Sequence, residues 1–136
     1  MQRFNELGIN YESKNYFLKL SNGYFMNKET IEEFVKLNVS KSANIIDIGA
    51  GTGLIGERLA QLGYVNIDAI DGSEGLLEVA RKKNVYRKIY HSIITENTDL
   101  PLEKKYYDVA IMSRAMSPVY ILPNSFPNIL QYIKSG

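Results

Sequence analysis

The stretch Asn44-Ile45-Ile46-Asp47-Ile48-Gly49-Ala50-Gly51-Thr52-Gly53 decides the fold. Its first half is apolar and β-branched, the composition of a short strand buried on both faces. Its second half alternates glycine with small residues and ends the strand abruptly. Glycine at every second position allows φ values that side chains disfavour and lets a ligand approach the backbone. Further on, Ile55, Leu59 and Leu62 recur at spacings of four and three. A helix is therefore expected from about Gly53 to Leu62, stopped by Gly63. In that order of elements, the unpaired N–H groups of the first helical turn face any electron-rich group that enters the glycine turn.

Outward from this centre the pattern repeats. Val65–Ile70 reads as a second strand closing on Asp71, and Ser73 caps a helix whose apolar side is Leu76, Leu77 and Ala80. Glu78 and Lys82 stand at i,i+4 on its outer side. A third strand is expected near Arg87–Ile93, followed by a loop through Asp99–Lys105 that carries Leu100-Pro101. Asp108–Met112 contains the near-continuous apolar run of a strand covered on both faces. Ser125 opens a last helix with Phe126, Ile129, Leu130 and Ile133 on its core side. Ahead of the first strand, a helix from Glu29 puts Ile31, Phe34 and Val35 on one face, with Asn27 as its cap. Residues 1–26 are rich in aromatics and lack periodicity, which suggests short helices or a lid-like arm. The alternation of strand and helix implies an α/β fold, a Rossmann-like, doubly wound parallel sheet. Its ligand site is then expected beyond the carboxyl ends of the strands, where the strand order reverses. The organisation expected is an N-terminal helical and aromatic arm over residues 1–40 and a binding domain over 41–136.

At 136 residues the chain has the length of one domain, and 45% hydrophobic with 23% charged residues is ordinary globular composition. Sixteen basic residues against fifteen acidic ones, spread along the chain, argue against a dedicated nucleic-acid surface. The absence of cysteine removes disulfides, thiolate metal sites and a cysteine nucleophile together. Met1–Asn10 carry no apolar core of the kind a signal peptide needs. No apolar run approaches the roughly 18 residues of a membrane span, so a cytoplasmic protein without membrane association is expected.

The ligand is a separate question from the turn. Gly51-Thr52-Gly53-Leu54-Ile55-Gly56 satisfies the dinucleotide pattern GxGxxG, and Asp71 follows about twenty residues on. An acidic residue at the end of the second strand accepts hydrogen bonds from ribose hydroxyls. Asp71 thus fits adenosine in either NAD or another nucleoside cofactor. His91 is the sole histidine, in or beside a strand, and reads as structural. Tyr16 and Tyr24 in the arm are candidates to cover the cofactor, with simple aromatic packing as the alternative. No His/Asp/Glu cluster has metal-ligand spacing and there is no Ser-His-Asp arrangement.

The stretch IIDIGAGTGLIGERLAQLG resembles motif I of class I S-adenosylmethionine-dependent methyltransferases, with an acidic residue two positions before the first glycine. DGSEGLLEVARKK is similar to the next block of that family, and DLPLEKKYYDVAIM to the loop and fourth strand after it. More narrowly, Tyr64–Tyr86, Tyr107–Gly136 and NGYFMNKETIEEFV resemble the methyltransferase-like family of the Williams–Beuren syndrome region. The resemblance covers approximately residues 20–136. It implies S-adenosylmethionine as cofactor, with Gly49, Ala50, Gly51 and Gly53 against its methionyl and ribose portion. It further implies that Asp47 orients the loop or, through water, the cofactor's amino group. Asp71 would hold the ribose hydroxyls and Gly72 would leave room for adenine. Ser113 and Arg114 would floor the methyl-donor site, and an adenine-edge contact is implied near Ile93–Glu96. Where the family often carries histidines after its fourth strand, this sequence has Pro118 and Tyr120.

The resembled fold has seven strands, and this sequence reaches only its fourth. The expectation is therefore the donor-binding part of a methyltransferase acting on an unidentified small-molecule or protein acceptor, in a fragment of the whole. Strand four would expose an apolar edge, which a partner or a second copy would cover. Two readings of other classes stand beside it: a non-catalytic cofactor- or partner-binding module, and an NAD-binding Rossmann domain.

Overall fold

In the computed structural model, which describes residues 16–20, 31–32, 34–113 and 123–134, the apolar run before the glycines is a strand buried throughout. The strands are β1 (Tyr16–Leu20), β2 (Ile45–Ile48), β3 (Ile67–Asp71), β4 (Lys88–His91) and β5 (Val109–Ser113). Helix α1 (Leu54–Gln61) joins β2 to β3, and α2 (Glu74–Lys82) joins β3 to β4. A 3-10 turn (Pro123–Ser125) leads into the short α3 (Phe126–Leu130). The sheet is parallel at every pairing, in the order β1-β5-β2-β3-β4.

Side-chain alternation along the strands separates the core into two layers. Ile45, Ile67, Val109 and Ile111 face Ile55 and Leu59 of α1, together with Phe34 and Tyr64. Ile46, Ile48, Ile70, Ala110 and Met112 face Ile129 of α3 and the following Tyr132 and Ile133. Helices therefore cover both faces, as the doubly wound reading requires.

The four strands expected between residues 44 and 113 are all present, within a few residues of their expected ends. One strand was not expected. Tyr16–Leu20, placed by the sequence in a helical or lid-like arm, is β1 and pairs along β5 from Tyr16↔Val109 to Leu20↔Ser113. A central apolar strand cannot leave a row of N–H and C=O groups unpaired without cost. The segment Tyr-Phe-Leu-Lys-Leu is rich in residues that suit a pleated surface. The edge of β5 expected to be exposed is thus paired within the chain.

Three helical faces also differ from expectation. Val35 is 53% exposed while Phe34 is fully buried. Leu76 is 39% exposed, leaving Leu77 and Ala80 as the core side of α2. The last helix ends at Leu130, which is 44% exposed, and Ile133 reaches the core through a turn that bridges to Tyr107. On α2, Arg81 rather than Lys82 pairs with Glu78, and also with Glu74. Asn27, the expected cap of the N-terminal helix, lies outside the described residues.

Candidate functional site

The chain winds outward from β2 through β3 to β4, then returns to place β5 on the other side of β2. The carboxyl end of β2 is consequently the point where strand order reverses, and a crevice opens there in folds of this kind. The glycine turn leaves that point, with Asp71 ending β3 on one side and Ser113 ending β5 on the other.

Gly49, Gly51 and Gly53 have φ of +70°, +59° and +90°. These are left-handed values that residues with a Cβ adopt at a cost, so the turn itself requires its glycines. The Gly49 and Ala50 N–H groups both bond the Ile70 carbonyl, at 2.8 and 3.2 Å, which ties the turn to the end of β3. Asp71 extends the tie. Its Oδ2 accepts the Gly51 N–H at 2.8 Å and its Oδ1 accepts the Ser73 N–H at 2.8 Å. Asp71 therefore clasps the turn and the start of α2 together, a duty invisible in the sequence. Each carboxylate oxygen retains a second lone pair, so hydroxyl donors can still bind it.

Asp47 lies beneath this turn. It shares the α1 side of the sheet with Ile45 and is 1% exposed. Among the described residues it has no ion-pair partner; its Oδ2 accepts the hydroxyl of Tyr86 at 2.6 Å. Burial pushes the Asp47 carboxyl up to about 7, the Tyr86 hydrogen bond opposes that rise, and the charge of Asp71 adds to it. Burial and the Asp47 charge hold the Tyr86 phenol well above the usual tyrosine range, so Tyr86 is the donor of the pair. The site thus contains a buried carboxyl poised between neutral and anionic forms, and a nearby cation would favour the anion.

The flanks are apolar. Leu76 Cδ1 approaches within 3.9 Å of where a Gly51 Cβ would stand, and Ile93, 67% exposed, lies beside Gly72. A Cβ at Gly72 would meet Ile93 and Ser92 at ordinary distances of 3.7 Å. Neither the backbone nor these neighbours demand glycine there. His91 Nε2 lies 3.1 Å from the Gly72 carbonyl and its Nδ1 lies 3.3 Å from Glu74, so it braces this edge as a structural residue. Asn128 donates to the Thr95 and Thr98 carbonyls at 2.8 and 2.7 Å, fixing the loop after Ile93 from α3.

The structure therefore brings together Asp47, Gly49, Ala50, Gly51, Gly53, Asp71 and Gly72, with Ser113 placed by its strand at the adjoining end of β5. Tyr24, Arg114, Pro118 and Tyr120 lie outside the described residues, and Tyr16 is located only as the first residue of β1. The sequence reading missed Tyr86, which stands 39 positions from Asp47. The one hint was Gly56, a glycine inside a helix that no turn explains. Helical spacing puts Leu76 on the core side with Leu77, because it cannot separate a buried position from a half-exposed neighbour. Among the described residues no group of His, Asp or Glu could hold a metal ion.

A family model described as a methyltransferase domain matches residues 45–136. The chain belongs to that methyltransferase domain family. It is 30% identical to human methyltransferase-like protein 27 over 89 residues, which is 65% of this chain and 36% of that protein. It is 26% identical to the demethylmenaquinone methyltransferase of Clavibacter sepedonicus over 133 residues, 98% of this chain and 53% of that protein. The chain thus spans about a third and about half the length of these curated relatives. A solved structure of a candidate S-adenosyl-L-methionine-dependent methyltransferase from Methanococcus maripaludis superposes with a TM-score of 0.65 at 22% identity. That superposition covers 82% of this chain and 52% of the other. An S-adenosylmethionine-dependent methyltransferase from Mesorhizobium loti gives a TM-score of 0.56 at 18% identity, over 77% of this chain and 48% of that one. At such identities the superpositions bear on the fold, which is the Rossmann-like α/β fold of these methyltransferases.

The residues of the candidate site fit S-adenosylmethionine by their chemistry. S-adenosylmethionine is cationic at its sulfonium and amino groups, and Asp47 is a buried carboxyl with no cation beside it among the described residues. Its ribose hydroxyls match the spare lone pairs of Asp71, and its adenine matches the glycine gap and the exposed Ile93.

Proposed function

We propose that this chain is the donor-binding part of an S-adenosylmethionine-dependent methyltransferase that acts on an unidentified acceptor. The observation that carries the reading is the left-handed glycine turn, clasped by Asp71 over a buried Asp47 at the switch point of a parallel sheet. When bound, S-adenosylmethionine supplies a methyl group already activated by its sulfonium. The chain's residues then have the work of binding, orienting and excluding water. Gly49, Ala50, Gly51 and Gly53 let the ligand lie against the backbone, and Asp71 accepts the ribose hydroxyls. Gly72 leaves room for adenine beside Ile93, while Leu76 closes the opposite flank. Asp47 offers negative charge from below, and Ser113 borders the methyl-donor end. Orientation of this kind contributes up to about 7–11 kcal/mol in well-aligned reactions, so the chemistry does not require a strong base in the donor half.

A dinucleotide reading of GxGxxG is disfavoured by Tyr86, which fills the seat above the third glycine and receives the Gly56 N–H in the first turn of α1. That is the turn on which a pyrophosphate would rest. No described helix is long and apolar enough to cross a membrane. A cytoplasmic location is the reading that the lack of cysteine supports.

Two measurements test the proposal. In a thermal-shift assay S-adenosylhomocysteine should raise the melting temperature of the chain while NAD at equal concentration should not. Labelled methyl groups from the donor should appear in a component of a cell extract when the whole protein is added. Stabilisation by NAD and not by S-adenosylhomocysteine would overturn the assignment.

A further inference from the structure

Tyr86 has the placement of a core residue and the contacts of a site residue. Its ring lies on α1 where two side chains are missing. A Cβ on Gly56 would stand 2.3 Å from Tyr86 Cζ and 2.4 Å from its hydroxyl oxygen, and one on Gly53 would stand 3.1 Å from Cε2. Gly53 needs glycine for its left-handed backbone, but Gly56 is not among the positive-φ residues. A glycine within a helix costs about 1 kcal/mol relative to alanine. Gly56 is therefore explained by the ring that it seats.

The next residue locks the ring in place. The Arg87 N–H bonds the Ile67 carbonyl at 2.7 Å, and its guanidinium holds the buried Asp68 with two hydrogen bonds of 3.0 and 3.1 Å. From this fixed position the Tyr86 hydroxyl reaches the carboxyl beneath the glycine turn. Packing alone would be met by phenylalanine. The hydroxyl accepts the Gly56 N–H and donates to Asp47, and the second contact is the one that reaches the carboxyl beneath the turn.

We propose that Tyr86 is a positioning residue of the donor site, fixing the Asp47 carboxyl beneath the glycine turn to face a cationic donor. The proposal rests on the donor-binding reading above. The groups that bear on Asp47 are Tyr86, from the connection between α2 and β4, and Asp71, from the end of β3. Of these only Tyr86 favours the anion; burial and Asp71 both oppose it. Without the hydroxyl, Asp47 keeps its proton to higher pH, and a donor bearing positive charge meets a neutral carboxyl.

The test uses the full chain as wild type, Tyr86→Phe, Asp47→Asn and the double variant. Calorimetric titration with S-adenosylmethionine is run across a pH series, with a melt at each pH to establish the folded fraction. Wild-type affinity should rise as pH passes about 7, the Asp47 value. Tyr86→Phe should bind about tenfold more weakly near neutrality, the scale of a lost hydrogen bond to a charged group. Its rise in affinity should lie at higher pH. Asp47→Asn should lack the rise near pH 7, and the double variant should match it, because Tyr86 acts through Asp47.

A Tyr86→Phe chain with the wild-type affinity and pH profile would overturn the proposal. So would a Tyr86→Phe loss that persists undiminished on top of Asp47→Asn, since the hydroxyl would then act through a group other than Asp47, the Gly56 N–H being the one beside it. The Asp47 carboxyl carbon resonance, titrated by NMR without ligand, reads the same contact independently of donor binding. An unmoved midpoint in Tyr86→Phe overturns the proposal even if the donor binds. A wild type that binds no donor, together with a displaced midpoint, overturns the donor reading and with it the role assigned to Tyr86.

Discussion

Replacing Asp47 by asparagine measures the electrostatic tension of the site through the stability of the ligand-free chain. The carboxyl is 1% exposed and stands at about 7 rather than 3.8, chiefly through burial. In the unfolded chain it titrates at its ordinary value. Between 3.8 and about 7 the native state therefore holds a proton that the unfolded state has lost. Stability falls as pH rises through that window. At about 1.36 kcal/mol per pH unit the complete loss is about 4 kcal/mol. Of this, about 3 kcal/mol falls between about pH 5 and about pH 8. Asparagine has no proton to lose and keeps an oxygen that accepts from Tyr86. The unfolding free energy of Asp47→Asn, minus that of wild type, should thus grow by about 3 kcal/mol over the same interval. Urea unfolding of both chains at the two pH values gives this directly, because the other titrating groups cancel in the subtraction. An equal difference at both pH values would refute the reasoning, since the native carboxyl would then titrate as it does in the unfolded chain.

Asp71→Ala removes the clasp on Gly51 and Ser73 and the acceptors proposed for ribose. S-adenosylhomocysteine affinity by calorimetry should fall at least about tenfold, and a change within a factor of about two would show that the ribose is misplaced. Gly56→Ala drives a Cβ into the Tyr86 ring and should cost about 1–3 kcal/mol in denaturant unfolding. The cost should shrink when Tyr86→Leu is made as well. Arg87→Ala leaves Asp68, 1% exposed, with the 2.7 Å bond from Tyr107 as its remaining described side-chain partner. It should destabilise by about 3 kcal/mol, with donor affinity of the folded chain changed far less than by Asp71→Ala.

Much of the site was legible because its parts are close in sequence or carry a local signature. Gly49, Gly51 and Gly53 announce themselves, since left-handed backbone is a property of single residues. Asp71 was found because it ends a strand at a standard interval from the turn. Its clasp on Gly51 was not, because a hydrogen bond across twenty positions leaves no pattern in a chain. Tyr86 was hidden for the same reason. Leu76 was misplaced because helical spacing cannot tell which of two adjacent apolar residues, Leu76 or Leu77, faces the core.

By itself the sequence determined the alternation of strands and helices, the parallel character of the sheet and the glycine turn at the centre of the candidate site. These follow from periodicity and backbone freedom, which act over a few residues. The tertiary structure decided that Tyr16–Leu20 closes the edge of β5, because strand pairing depends on which unpaired edge is within reach. It also decided that Asp47 lies buried under a tyrosine hydroxyl with no cation beside it among the described residues. Burial and electrostatics are properties of the assembled fold, and they make the carboxyl beneath the glycine turn responsive to a cationic ligand.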